Sequence, residues 1–599
     1  MRLLTTRLLA AGAVLALLAG TALARPGVPQ TILNLEAAEA QGLLSHDEAA
    51  LNKIYHVIAP EKVDARFLTR DEAPGKCATG MLIEILADES VSESVKQVLR
   101  DYAETPPAGD RALYISPSGT FRLTYFTTGT DAVPTTDTNP ANGIPDYVER
   151  CGEYMDWSWQ YEITTIGFTP PVIIAGVDYQ VSFKNFSYYG VTYALGGGRT
   201  RIELHRNFLG FPANDDPDGD QLGAAKVTCG HEFKHASAYA TANWSEGGWA
   251  ELDATWMEDQ VYPATNDYHN YIAYSGSPLY TPQQSLDYGG SGSYEDCIWQ
   301  TIMSEKWGMS FIVSLWVSRH NNPAWPMLTT YDNLLQTVGS SRAALMAEWT
   351  RWNYLTGFKY SEHWNDVPNG EGGYPDAADL YSCAVYYTVN GLGTPPTSTV
   401  EDMGARYARH LALTGLSNYP RITFNGDDTA DFRPQVIIKK TDGTLLFDAV
   451  VMGANDDGEV TLSVPFSQIQ ELGISFPHCS LSGGYKQFSY ALTQAVVSDV
   501  PPLGPAGMRL HPAYPNPFNP TTNIKFELAK DEQVTLTIVS PMGRVHRTLL
   551  AGELRGAGEH IVRFDGKDEA GNLLASGVYF AMLNIGGSES QLAKLTLIK

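Results

Sequence analysis

Along residues 25 to about 115, apolar positions recur at helical spacing. LNLEAAEAQGLL and SVSESVKQVLRDYAET each carry one apolar stripe. Ser45 and Glu48 have capping-box spacing, and AALNKIYHVI suits the helix they would start. From about 116 the pattern changes. GTFRLTYFTT alternates like a strand, and helical spacing returns around 222–241, 248–260, 294–320 and 341–355. Between about 400 and 497, RITFNG, QVIIKKTDGTLLFDAVV and GEVTLSVPF alternate with period two, and Asp442-Gly443 suits a tight hairpin. VSDVPPLGPAGM is rich in Pro and Gly and reads as a linker. Residues 511–599 repeat the pattern of short strands and turns, which predicts a second Ig-like sandwich.

The first 24 residues stand apart. Arg2 and Arg7 precede the apolar run Leu8 to Gly20, and Ala22-Leu23-Ala24 is an A-x-A site. This predicts a cleaved secretory signal peptide and, with no later run of about 18 apolar residues, no membrane span in the mature chain. The expected location is outside the cell or on its surface. The 599 residues carry 67 Asp+Glu against 41 Lys+Arg, a formal charge of −26. That excess argues against nucleic acid and anionic membrane surfaces as partners. Six cysteines permit disulfides in an exported protein but are too sparse to build a scaffold.

The chemical signal is HEFKH at 231–235. On a helix, residues i and i+4 share a face, so His231 and His235 can reach one metal ion. Two imidazoles and a carboxylate suit Zn2+ and leave one position open for a water. Glu232, next to the first ligand, is placed to act as general base. Cys229 lies about 200° round the helix from His231 and is expected in the core. The third ligand is expected on GGWAELDATWMEDQVYP, opened by Gly247-Gly248 and stopped before Pro263. Glu251 and Glu258 are seven residues and about 10 Å apart there, so both cannot bind one ion. Glu251 is chosen, with Glu246 as the alternative; Glu258 and Asp253 are read as surface acids, with partners behind the ligands as the alternative. Tyr288, Tyr294 and His320 are candidates for stabilising an oxyanion.

TTDTNPANGIPDYVER spaces Asp137, Asn139, Asn142 and Asp146 around Gly143, a candidate Ca2+ loop. NDDPDGDQ at 214–221 reads as acids that cap the following helix or face solvent, with Ca2+ as the alternative.

KVTCGHEFKHASAYA followed by WAELDATWMEDQVYP resembles a family of secreted bacterial zinc metalloproteases known mainly from myxobacteria. Its members carry K-V-T-x-x-H-E-F-x-H-A-x-Q and then W-x-E-x-x-A-x-W-M-E-D-x-V. The chain departs at Ala238, where members often carry Gln. The resemblance runs from about 116 to 390. It implies a zincin-like catalytic domain with His231, His235 and Glu251 as ligands, Glu232 as base, and a protein or peptide substrate. Residues 511–599, from AYPNPFNPTTNIKFEL to LAKLTLIK, closely resemble C-terminal sorting domains of the type IX secretion system and the related FlgD-like Ig fold. That implies secretion machinery as a partner.

The reading is therefore multi-domain: signal peptide 1–24, helical N-terminal region 25–115, α+β catalytic domain 116–390, β-sandwich 391–497, linker 498–510 and sorting domain 511–599. The N-terminal region is either a removable pro-segment or a structural prologue, and it shows no catalytic constellation. The leading function is a zinc-dependent endopeptidase. Two alternatives stand beside it: a surface binding protein with a decayed zinc site, and a zinc hydrolase of a non-peptide substrate, with the 12 Trp offered for sugar stacking.

Overall fold

In a computed structural model, the described residues are 27–105, 111–174, 178–242, 246–274, 276–286, 293–357, 373–453, 455–495, 508–511, 513–528, 530–540, 544–585 and 589–598. The signal peptide and most of the linker lie outside them.

The site is carried by a six-stranded sheet: β1 (Gly75–Cys77), β2 (Ala112–Ile115), β3 (Phe121–Tyr125), β4 (Tyr179–Lys184), β5 (Tyr188–Ala194) and β6 (Thr200–His205). Their spatial order is β1-β5-β6-β4-β3-β2. β3, β4 and β6 are mutually parallel, and β5 runs antiparallel to β6. β1 adds to the free edge of β5 in parallel, pairing Gly75 with Tyr188 and Cys77 with Gly190. Two strands of this sheet thus come from before residue 116.

The helix Asp220–Ala242 packs on β5 and β6. Its Cys229, Phe233 and Ala236 are buried in one cluster with Phe121, Tyr179 and Ile202. Phe233 meets Phe121 edge-on at 5.8 Å and Trp159 at 5.5 Å. Truncating a Phe so enclosed costs about 3–5 kcal/mol. Ala238 faces another cluster, with Trp249, Leu252 and Met257. The motif helix is therefore buried on more than one side. The return helix Gly247–Val261 packs against it and stops at Tyr262, before Pro263.

Helical spacing over 294–320 resolves into two helices, Ile298–Trp307 and Met309–Asn321, because Gly308 between them has φ 79. With Met327–Thr337 and Arg342–Tyr354 they bury Trp299, Trp316, Trp349 and Trp352. Trp157, by contrast, is 47% exposed.

The N-terminal region contains the helices Gln30–Ala40, His46–Ile58, Thr79–Ala87 and Glu93–Glu104. The Ser45–Glu48 capping box is formed. Ile32, Leu35, Ile54, Val57, Leu82 and Leu99 share a core with Tyr188, Val191 and Tyr193 of β5.

Further along are two pairs of β-sheets. The first pair holds ten strands between Tyr387 and Ala495, so its first strand begins before residue 391. Ile422, Phe424 and Phe488 of one sheet meet Val436, Leu472 and Phe476 of the other. The Asp442-Gly443 hairpin joins Gln435–Lys440 to Leu445–Ala449. The second pair has three and four strands around Phe526, Leu536, Ile538 and Leu583. Among the described residues no helix is long and apolar enough to cross a membrane. All six cysteines are buried free thiols, so the cores stand without disulfides.

Candidate metal centre

The motif helix and the return helix bring three sequence-chosen residues together. His231 Nε2 lies 3.0 Å from Glu251 Oε2, and His235 Nε2 lies 3.5 Å from the same oxygen. The two Nε2 atoms are 3.1 Å apart. His231, His235 and Glu251 are each at most 1% exposed. Two imidazole nitrogens and a carboxylate oxygen converging on one buried point suit a divalent cation such as zinc.

The electrostatics point the same way. Burial opposes charge on His231, but the carboxylates of Glu251 and Glu258 outweigh it and lift the ring to about 10. Burial also opposes ionisation of Glu251, yet His235 and His231 hold its carboxyl well below the usual range. The pocket favours a cation beside a carboxylate.

The surrounding residues fix this geometry. Glu258 Oε1 lies 2.7 Å from His231 Nδ1; by accepting that N–H it would leave the Nε2 lone pair for an ion. Glu258 is 1% exposed and pairs with Lys76 Nζ at 2.8 Å; Lys76 also pairs with Asp267. Asp253 is buried too, and pairs with Lys234 and Gln300. The surface was the favoured expectation for both acids, and support behind the ligands the alternative; Glu258 takes the alternative. Both acids are inside because the return helix is enclosed on nearly all sides.

The remaining candidates divide. Glu246 lies away from the two histidines: it pairs with Arg319 at 2.7 Å and accepts from the amide of Met327. Cys229 is fully buried in the core. His320 is exposed, Tyr288 lies outside the described residues, and Tyr294 is buried at the centre.

Glu232 is fully buried beside the ligands. Its Oε2 accepts from Thr192 Oγ1 at 2.7 Å and Thr79 Oγ1 at 3.2 Å. Gly190 makes room for it, since a Cβ there would lie 2.6 Å from Glu232 Cγ.

Sequence reasoning assigned no chemistry to the N-terminal region, yet Cys77 joins the centre. Its Sγ lies 3.6 Å from His235 Nε2 and donates to Glu232 Oε1 at 3.1 Å. One donor atom each from Cys77, His231, His235 and Glu251 fall within 4.8 Å of one another. Burial, then the charges of Glu232 and Glu251, push the Cys77 thiol well up. The amide of Gly80 donates to Glu251 Oε1 at 2.5 Å. That approach needs small residues: a Cβ on Gly80 would lie 2.7 Å from Glu251 Cγ, and one on Gly247 would lie 2.3 Å from the Gly80 carbonyl oxygen. The Tyr294 hydroxyl donates to the Cys77 carbonyl at 2.8 Å and accepts its amide at 3.2 Å.

The loop at 135–150 closes on itself. Asp146 accepts from the amides of Thr138 and Asn139, and Asp137 from those of Asn142 and Gly143. Asn142 donates to Glu149 and accepts from the Ile144 amide, and Asn139 offers its own amide to Asp146. In the loop at 214–221, Lys226 pairs with Asp216 at 2.7 Å and Asp218 at 2.8 Å.

No family model matches this sequence, and no curated protein matches it. Similar solved structures include PorZ, a surface component of the type-IX secretion system of Porphyromonas gingivalis, at 16% identity and TM-score 0.13 over 27% of this chain and 22% of that one. Latent PorU from the same species is 13% identical, with TM-score 0.14 over 36% and 19%. A β-1,2-glucanase from Parabacteroides distasonis is 10% identical, with TM-score 0.13 over 34% and 32%. This chain spans under a third of the length of each, and likenesses of this size carry no argument about its fold or chemistry.

Proposed function

We propose that this protein is a secreted or cell-surface zinc-dependent endopeptidase with a zincin-like catalytic unit. The observation that carries the reading is the convergence of His231, His235 and Glu251, with Glu232 buried directly beside them. Bound zinc would supply Lewis-acid charge that acidifies a water and polarises a carbonyl. Glu232 would take the proton, held in place by Thr192. Tyr294, whose hydroxyl already donates to a main-chain carbonyl at this point, would steady charge on the scissile carbonyl oxygen.

Peptide is favoured over sugar as substrate for two reasons. The edge of β5 beside the centre pairs with an extended main chain, that of β1. The tryptophans offered for stacking on sugars are largely core residues. The two C-terminal sheet pairs fit Ig-like modules, the last serving export through the secretion machinery. Calcium in the 135–150 loop rests on ligand spacing alone.

The test uses purified protein, as isolated and after brief trypsin treatment quenched with a serine-protease inhibitor. Casein and a peptide library are the substrates, with and without chelator, beside Glu232→Gln. Chelator-sensitive cleavage lost in Glu232→Gln is expected. Zinc binding with no such cleavage in either form would overturn the protease reading.

A further inference from the structure

We propose that Cys77 is a fourth metal ligand and that the N-terminal region holds the centre latent, its β1 strand lying where an extended substrate would lie. This rests on the metallopeptidase reading above.

A hydrolytic zinc site keeps one position open, whereas four protein donors close it. Cys77 Sγ supplies the fourth donor. Binding zinc as a thiolate requires the thiol to lose its proton, and Glu232 Oε1, 3.1 Å away, is the acceptor. One side chain thus occupies both the open position and the base. A purely structural site would have no use for Glu232, a buried carboxylate set by Thr79 and Thr192 beside the metal.

The main chain tells the same story. β1 covers the edge of β5, with the Gly75 amide donating to the Ser187 carbonyl at 2.7 Å. The Cys77 carbonyl takes the Tyr294 hydroxyl. The hydrogen bonds that would hold a substrate are spent on this segment. Lys76 anchors it through Glu258 and Asp267, and its ammonium lies over the rings of Tyr189 and Tyr271 at 4.3 and 5.1 Å. Removing the region through Glu104, or displacing Cys77 from the metal, frees the ligand position and the base together.

The full-length chain loaded with Co2+ gives a readout independent of activity. A thiolate ligand produces a near-ultraviolet charge-transfer band. The wild type should show that band. Cys77→Ser should lose it, keep its cobalt, and cleave peptides no faster than uncut wild type, because β1 still lies along the substrate edge of β5. Limited proteolysis of the wild type should remove the band and raise activity in parallel, and it decides alone if Cys77→Ser does not fold. Cobalt bound without the band would overturn the ligand assignment while leaving the metallopeptidase reading intact. The band present, with no gain of activity on proteolysis, would overturn latency in favour of a closed structural site. Failure to bind cobalt at all would sink the metallopeptidase reading and this inference with it.

Discussion

His231 Nδ1 and Glu258 Oε1 lie 2.7 Å apart, both at most 1% exposed, and Glu258 continues to Lys76. The ring's orientation is therefore set by a carboxylate two helical turns beyond Glu251. Glu258→Gln keeps the shape and removes the charge. Metal affinity should fall about 10–100-fold, as for other carboxylates behind metal-bound histidines. Competition with a chromophoric chelator measures it, and an unchanged affinity would show that Glu258 only packs.

Glu251 and Glu246 were the two carboxylates open to ligation, and the structure separates them. Glu251 Oε2 faces both imidazoles, while Glu246 faces Arg319. Glu251→Ala should lose stoichiometric zinc after dialysis, and Glu246→Ala should retain it. Elemental analysis of both variants decides; equal zinc in the two would exclude Glu251 as a ligand.

The pairing of His231 with His235 was legible because a four-residue spacing on a helix fixes a shared face without knowledge of the rest of the chain. Glu251 was legible from its place: it opens an E-x-x-A stretch 16 residues after His235, enough chain for a turn and a return helix. The burial of Glu258 and Asp253 was not, since WMEDQV has the polar content of a surface helix and only tertiary enclosure puts it inside. Cys77 was illegible for another reason. A three-residue strand has no periodicity to detect, and its partners at 188–190 are more than a hundred residues away. The small residues of Lys76-Cys77-Ala78-Thr79-Gly80 were the available signal, because a Cβ on Gly80 would collide with Glu251.

Tyr294 was one of three sequence candidates for stabilising an oxyanion, and its hydroxyl reaches a carbonyl at the centre. In protein freed of its N-terminal region, Tyr294→Phe should lower kcat about 10²-fold, the usual cost of one such donor. Its metal content and far-ultraviolet circular dichroism should not change. An unaltered kcat with intact metal would assign Tyr294 to holding Cys77 only.

Glu84 sits on the helix Thr79–Ala87, where the N-terminal region meets the return helix. Burial, with the charges of Glu251 and Glu36 adding to it and Lys53 opposing, raises its carboxyl to about 7. The sign follows from linkage. A carboxyl that holds its proton more tightly when folded stabilises the docked form at low pH. That contribution declines from its unfolded value of 4.5 upward and is gone above about 7. Docking of the N-terminal region should therefore weaken from pH 5 to pH 8. Because Glu84 is only partly enclosed, the change should be on the order of 1 kcal/mol. Thermal unfolding across that range should show the decline in wild type and a shallower slope in Glu84→Gln. Equal slopes would assign the pH dependence to another group.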